Sequence, residues 1–359
     1  MRYPKFLTKG GTIGYIAPSF GCAIEPYSTR FENARKIFKE MGYKEKLGPN
    51  CFASSGIGIS NSPDKCGDEL NKAMTDSEID AIITCGGGEL MCEVVPYIDF
   101  DLIAKSEPKW YMGYSDNTNF TFLSTILADT AAIYGPCAPA FGRVPWHESN
   151  EDAIKLLTGE ITEVRGYDLW EMEGHQPEVD EDTPEEEIPE VDPLLPYNTT
   201  EKVVYRYYQK DTDIETTKKA EMSGRLIGGC VDILLVQLGT RFDKVDEFLE
   251  RYKEDGFIWF LECCDLDMLS IRRAFYTMRE AGWFKYAKGF LIGRPLHYGE
   301  DAMGVDQYNA VTDMIGELGV PIVMDLDIGH KPPMMPIISG AYADVKCTGD
   351  DILIKYDFK

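Results

Sequence analysis

The first part of the chain alternates short apolar runs with amphipathic stretches. Thr12-Ile13-Gly14-Tyr15-Ile16-Ala17 has the length and composition of a buried strand and stops at Pro18-Ser19. Across residues 28–41, Phe31, Ala34, Ile37 and Phe38 recur at helical spacing, which predicts a helix with one apolar face. Residues 66–75 predict a second helix. Residues 79–84 predict a strand that runs into Gly86-Gly87-Gly88, with a helix from about Leu90. Trp110-Tyr111-Met112-Gly113-Tyr114 predicts another strand, followed by Phe120, Leu123, Ile126 and Leu127 on one helical face. Such alternation argues for an α/β fold with a parallel sheet covered on both faces.

The middle breaks this pattern. Residues 171–192 hold eleven acidic residues, three prolines and no basic residue, a composition that cannot build a packed core. It predicts an exposed loop or linker. Order returns near Gly224. An apolar helical stretch follows over residues 231–238, with strands over 258–261, 289–293 and 320–324 and a helix over 268–281. Residues 341–356 alternate as a hairpin around Gly349-Asp350-Asp351. The expected organisation is an N-terminal parallel-sheet domain over residues 1–165, an acidic connection over 166–222 and a C-terminal α/β domain over 223–359.

Charge and composition narrow the function. With 61 acidic and 36 basic residues, the formal net charge of -25 repels phosphate backbones and anionic lipid, so neither nucleic acid nor membrane is an expected partner. No run of eighteen apolar residues exists, and no apolar segment of signal-peptide type follows the first residues. The ten cysteines form no Cys-x-x-Cys pair and there are only four histidines, so no metal site and no cofactor are expected. Reduced thiols in a cytoplasmic protein are the expectation.

Several short motifs could carry chemistry. Gly113-Tyr114-Ser115-Asp116-Asn117 lies between a predicted strand and helix, where a sharp turn can present a serine hydroxyl. Asn117 stands where such elbows usually have glycine, and tolerates a left-handed backbone. By local pattern alone Ser115 is as readily a helix cap, the commoner use of serine there. The Gly86-Gly87-Gly88 turn can bring main-chain N–H groups close to an anion or can simply be tight. His330 follows Gly329 and precedes Lys331-Pro332-Pro333, on a shaped loop beyond a strand. Glu262 ends an apolar strand and needs a partner, either a histidine to orient or an arginine. Cys263 and Cys264 read as packing residues. Arg225, Arg294 and Lys331 are candidates to meet a substrate carboxylate, and Glu89 to meet an amine.

Together these segments resemble the LD-carboxypeptidase family of serine peptidases, including its microcin C immunity branch. The resembling residues are Leu7-x-x-Gly10-Gly11-Thr12-Ile13, Ala17-Pro18-Ser19, Cys85-Gly86-Gly87-Gly88, Pro96-Tyr97-Ile98-Asp99-Phe100, Pro108-Lys109 and Gly113-Tyr114-Ser115-Asp116-Asn117-Thr118. They continue through Tyr134-Gly135-Pro136, Gly224-Arg225-Leu226-Ile227-Gly228-Gly229, Phe260-Leu261-Glu262 and Asp327-Ile328-Gly329-His330. The resemblance implies a flavodoxin-like N-terminal domain, a smaller α/β C-terminal domain and a homodimer. It implies Ser115 as nucleophile, His330 as general base and Glu262 as its orienting carboxylate. Main-chain N–H groups of Gly87 and Asp116 would form the oxyanion hole, with Gly88 beside them. The implied reaction is hydrolysis of an amide in a small peptide or aminoacyl-nucleotide-like substrate. Release of D-alanine from murein tetrapeptide is the alternative, and a non-catalytic binding homologue a further one. In the immunity branch a loop tryptophan stacks on the nucleobase, and Trp170 is the candidate here.

Overall fold

The computed structural model describes residues 1–55, 58–177 and 189–359. Part of the acidic loop expected over 171–192, residues 178–188, lies outside the described residues.

The first sheet is built from β1 (Thr12–Ile16), β2 (Lys44–Leu47), β3 (Ala81–Thr84), β4 (Trp110–Gly113) and β5 (Ala132–Tyr134), all parallel in the order β5-β4-β3-β1-β2. This is the doubly wound, flavodoxin-like order, in which ligands gather beyond the carboxyl ends of the strands. α1 (Tyr27–Glu40) buries Phe31, Ala34 and Phe38, and α2 (Pro63–Thr75) buries Cys66, Leu70, Ala73 and Met74. The helix expected from Leu90 is instead two short 3-10 turns, Met91–Glu93 and Val95–Tyr97, before α3 (Phe100–Lys105). Two causes act there. Pro96 offers no N–H to continue a helix, and the Met91 N–H is taken by the Asp116 carboxylate at 2.9 Å.

α4 (Thr118–Ala128) is buried almost all round, including Phe120, Phe122, Leu123 and Ile126, because it stands between two sheets. α5 (Glu148–Thr158) follows, capped by His147 through the Ser149 N–H. The chain then enters the second sheet with β6 (Glu163–Arg165), pairs β7 (Leu169–Trp170) with β8 (Glu201–Lys202), and returns as β9 (Arg206–Tyr208). After α6 (Ile214–Thr217) come β10 (Lys219–Cys230), α7 (Val231–Gln237), α8 (Val245–Arg251), β11 (Phe257–Glu262), α9 (Met268–Glu280), β12 (Ala287–Gly293), α10 (Asn309–Ile315) and β13 (Ile322–Leu326). The last strands are β14 (Ile337–Ser339), β15 (Tyr342–Thr348) and β16 (Asp351–Asp357), the last two forming the expected hairpin.

The second sheet runs β6-β16-β15-β10-β11-β12-β13-β9, with β10 to β13 parallel. The two sheets exchange strands. β14 leaves the C-terminal half to pair antiparallel with β5, Ile338 opposite Ile133. Polar bonds tie α4 to the second sheet as well: the Cys230 N–H donates to Thr118 Oγ1 at 3.1 Å, and Thr125 and Ser339 hydroxyls meet at 3.1 Å. The carboxyl ends of β3, β4 and β5 therefore face those of β11 and β13, which is where the candidate residues lie.

One buried ion pair fixes the loop after β13. Arg294 donates to Asp327 at 2.7 Å, and their side chains are 2 % and 0 % exposed. Burial pushes the Asp327 carboxyl up, only partly offset by Arg294. Arg294 is thus a structural charge. We expect Arg294→Met to cost about 3–5 kcal/mol, because it strands a buried carboxylate, and Arg294→Met/Asp327→Leu to recover most of that loss; urea denaturation of the two variants checks this.

Candidate active site

Ser115 follows β4 directly and opens the 3-10 turn that leads into α4. Its φ of 61° puts a non-glycine residue in the left-handed region. This strain is what lifts the hydroxyl out of the sheet end. The sequence placed the left-handed tolerance at Asn117, whose φ is -63°. Asn117 serves otherwise: its amide donates to the Gly86 and Tyr114 carbonyls at 2.8 and 3.1 Å and accepts from Tyr111 at 2.6 Å. It lashes the glycine turn to the elbow.

His330 lies beyond β13 and Glu262 ends β11. His330 Nε2 is 2.9 Å from Ser115 Oγ, and Nδ1 is 2.8 Å from Glu262 Oε2. The three side chains come from three strand ends in two sheets and form one hydrogen-bonded line. Tyr134 was not singled out from the sequence as a site residue, though it stands in the Tyr134-Gly135-Pro136 segment. Its hydroxyl donates to Glu262 Oε1 at 2.5 Å and accepts the Ser115 N–H at 3.3 Å.

Burial alone would push the Glu262 carboxyl up. The His330 charge and hydrogen bonds from His330, Tyr134 and Cys230 outweigh it and leave the group below its ordinary range. Burial likewise pushes His330 down, but Glu262 and the Cys264 thiol outweigh it and hold the imidazole well above its usual 6.5. The packing is tight: a Cβ on Gly329, whose φ is 109°, would stand 2.6 Å from Glu262 Oε2.

The glycine turn closes on the serine. A Cβ on Gly87 would lie 3.0 Å from Ser115 Cβ and 3.2 Å from its Oγ, so only glycine brings main chain this near the hydroxyl. Asp116 faces away from the cavity and is buried. Its carboxylate accepts from Ser19, from the Met91 N–H at 2.9 Å and from Asn119 at 2.8 Å, while burial pushes it up. It therefore holds the turn in place and leaves its own N–H at the elbow. Asp232 plays a similar part, accepting the N–H groups of Cys264, Asp265 and Leu266 at 2.9–3.2 Å.

Gly88 and Glu89 line a cavity of about 380 Å³ with Ser115, Cys264 and His330. Burial and the charges of Asp265, Asp116 and Asp232 push Glu89 up. Cys264 is thus a cavity residue as well as a packing one. Three other candidates do not line the two cavities beside the serine. Arg225 is buried away from the cavity, donating to Asp255 and to the Gly340 carbonyl at 2.7 Å. Lys331 gives its ammonium to the Met172 carbonyl at 3.0 Å. Trp170 is only 4 % exposed, packed against Tyr298 with the Arg294 guanidinium 4.7 Å from its ring centre, so it offers no face for stacking. The other histidines are occupied elsewhere: His147 caps α5, His175 meets the Pro196 carbonyl and His297 meets Glu300.

Two arginines that the sequence did not single out line an adjoining cavity, Arg30 on α1 and Arg143 after the turn Ala138–Gly142. Among the described residues no group of three or more His, Cys, Asp or Glu side chains is placed to hold a metal ion, and no helix is long and apolar enough to cross a membrane.

The LD-carboxypeptidase N-terminal domain model matches residues 13–135 and the LD-carboxypeptidase C-terminal domain model matches residues 223–345. A probable murein peptide carboxypeptidase of Bacillus subtilis is 26% identical, covering 95% of this chain and 90% of its own length. The microcin C7 self-immunity protein MccF of Escherichia coli is 25% identical, covering 93% of this chain and 90% of its own. In structure, the microcin C7 self-immunity protein in complex with aspartyl sulfamoyl adenosine superposes with a TM-score of 0.78 at 20% identity, over 99% of this chain and 98% of that one.

The raised His330 pKa sets a pH dependence. If His330 accepts the Ser115 proton, its neutral form is the active one, and kcat/KM should rise with pH through a midpoint above 6.5. Glu262→Gln removes the main cause holding the imidazolium, while burial remains. The midpoint should fall and the rate drop by about 10³–10⁴-fold; a pH–rate profile of both proteins reads the two effects.

Proposed function

Because the chain belongs to the LD-carboxypeptidase family of serine peptidases, we propose that it hydrolyses an amide bond with Ser115 as nucleophile, His330 as general base and Glu262 as the carboxylate that orients it. The observation that carries this reading is the line of hydrogen bonds of 2.9 and 2.8 Å ending on a serine at positive φ. His330 Nε2 takes the Ser115 proton as the oxygen attacks the carbonyl carbon, and Glu262 stabilises the resulting imidazolium through Nδ1–H. The oxyanion forms beside the N–H groups of Gly87 and Asp116, where charge develops in the transition state. Collapse breaks the C–N bond, and His330 returns the proton to the leaving amine. Water, deprotonated by the same imidazole, then releases the acyl group from Ser115.

The substrate we favour is a short peptide, with D-alanine release from murein tetrapeptide as its concrete form. Burial of Trp170 removes the ring that would have stacked on a nucleobase, and the similar Bacillus subtilis protein is a probable murein peptide carboxypeptidase. An aminoacyl-nucleotide amide is the second reading, since the similar microcin immunity protein is known in complex with aspartyl sulfamoyl adenosine. Cytoplasmic location and a homodimer belong to the same proposal; sedimentation at twice the monomer mass checks the latter.

Incubating a murein L,D-tetrapeptide with the enzyme and with Ser115→Ala, and following products by mass spectrometry, tests the proposal. We expect loss of D-alanine with the unmodified protein and a fall of about 10⁴–10⁶-fold in the variant. Equal cleavage by both proteins would show that Ser115 is not the nucleophile.

A further inference from the structure

The space around Ser115 divides into two arms that share Tyr27, Cys85, Gly86, Gly87, Tyr114 and His330. One arm carries Glu89. The other, of about 210 Å³, is walled by Tyr197 and carries both Arg30 and Arg143. The two guanidiniums are held by main chain: Arg30 Nε donates to the Pro193 carbonyl at 2.7 Å, and Arg143 Nη1 to the Leu195 carbonyl at 2.8 Å. Asn33 fixes the loop by donating to the Gly142 carbonyl at 2.7 Å, and Arg143 lies 5.3 Å from the centre of the Tyr197 ring.

Among the described residues, neither arginine has a carboxylate within 4.0 Å, although the chain holds 61 acidic residues against 36 basic ones. Their remaining N–H groups donate no hydrogen bond to the described residues. Both side chains are half-buried. Burial and the neighbouring Arg143 charge push Arg30 below its ordinary range. Glu171 acts on Arg30 only at longer range; two adjacent, partly desolvated cations that no carboxylate of the described residues contacts are costly unless an anion completes them, and guanidinium forks suit oxyanions geometrically.

We infer that Arg30 and Arg143 form an anion subsite that holds an oxyanionic group on the leaving side of the scissile amide. The inference rests on the hydrolytic reading above and specifies its substrate class. In a peptide that group is the terminal carboxylate of the released residue; in an aminoacyl nucleotide it is the phosphoryl or sulfamoyl link. A substrate whose leaving side is neutral would leave the pair uncompensated and bind less well.

Equilibrium binding to Ser115→Ala tests this without turnover. The probes are the L,D-tetrapeptide acid, the same peptide as its C-terminal amide, and an aminoacyl sulfamoyl adenosine. The acid should bind about 10–100-fold more tightly than the amide. Adding Arg30→Ala and Arg143→Ala should abolish that difference while leaving amide binding unchanged. Arg30→Lys/Arg143→Lys keeps the charge and should restore part of the preference, which separates charge from loss of the main-chain ties. Strong binding of the sulfamoyl nucleotide alone, lost in the alanine pair, would keep the subsite and assign it to nucleotides. Equal affinities for acid and amide with no arginine-dependent nucleotide binding, or no measurable binding of any anionic probe, would overturn the inference. Turnover of the tetrapeptide by the Ser115 protein is scored separately. Its absence alongside an arginine-dependent preference for the acid would refute the proposed reaction and leave the anion subsite standing.

Discussion

A carboxylate with no solvent exposure organises this molecule. The Glu262 side chain is fully buried at the end of β11, where an uncompensated charge would be prohibitive. Compensation comes from three directions: His330 on the loop after β13, Tyr134 at the end of β5 in the other sheet, and Cys230 at the end of β10. Much of the surrounding chain is explained by that need. Gly329 leaves room for one carboxylate oxygen, the Arg294–Asp327 pair anchors the loop that carries His330, and Asp232 gathers the main chain just after Glu262. Through Tyr134 the same carboxylate reaches the Ser115 N–H, so the charge of one sheet steadies the elbow of the other.

The strands and helices that build the two sheets were largely legible, because apolar runs such as Ile258-Trp259-Phe260-Leu261 and spacings such as Phe31, Ala34, Phe38 are local signals. What the pattern concealed was contact made over long separations. The helix expected from Leu90 is lost because the Met91 N–H donates to a carboxylate 25 residues away, together with a proline. The short strands β6, β9 and β14 carry too few residues to show a period, and their places are set by the sheets that receive them.

The site was legible in a different way. No local feature separated Ser115 from an ordinary helix cap, and only the ordered set of segments along the whole chain drew it together with Glu262 and His330. Tyr134 lay within one of those segments but carried no signal of its own, since its role depends on a partner 128 residues away. Arg30 and Arg143 carry no sequence signal either, because each resembles an ordinary surface charge until the fold brings them beside one cavity. Trp170, Arg225 and Lys331 are the opposite case. Their residue types suit ligand contact, and only packing reveals that each also has a protein partner.

The antiparallel pairing of β14 with β5 has a mechanical meaning. β14 begins seven residues after His330, and β5 ends at Tyr134. The loop bearing the imidazole is therefore stitched by main-chain hydrogen bonds to the sheet that bears the serine. Opening the two halves like a clamshell would tear that stitch and strip Glu262 of a partner. The molecule is built as a fixed jaw, in which substrate threads into a preset gap and selectivity resides in what the walls of that gap present.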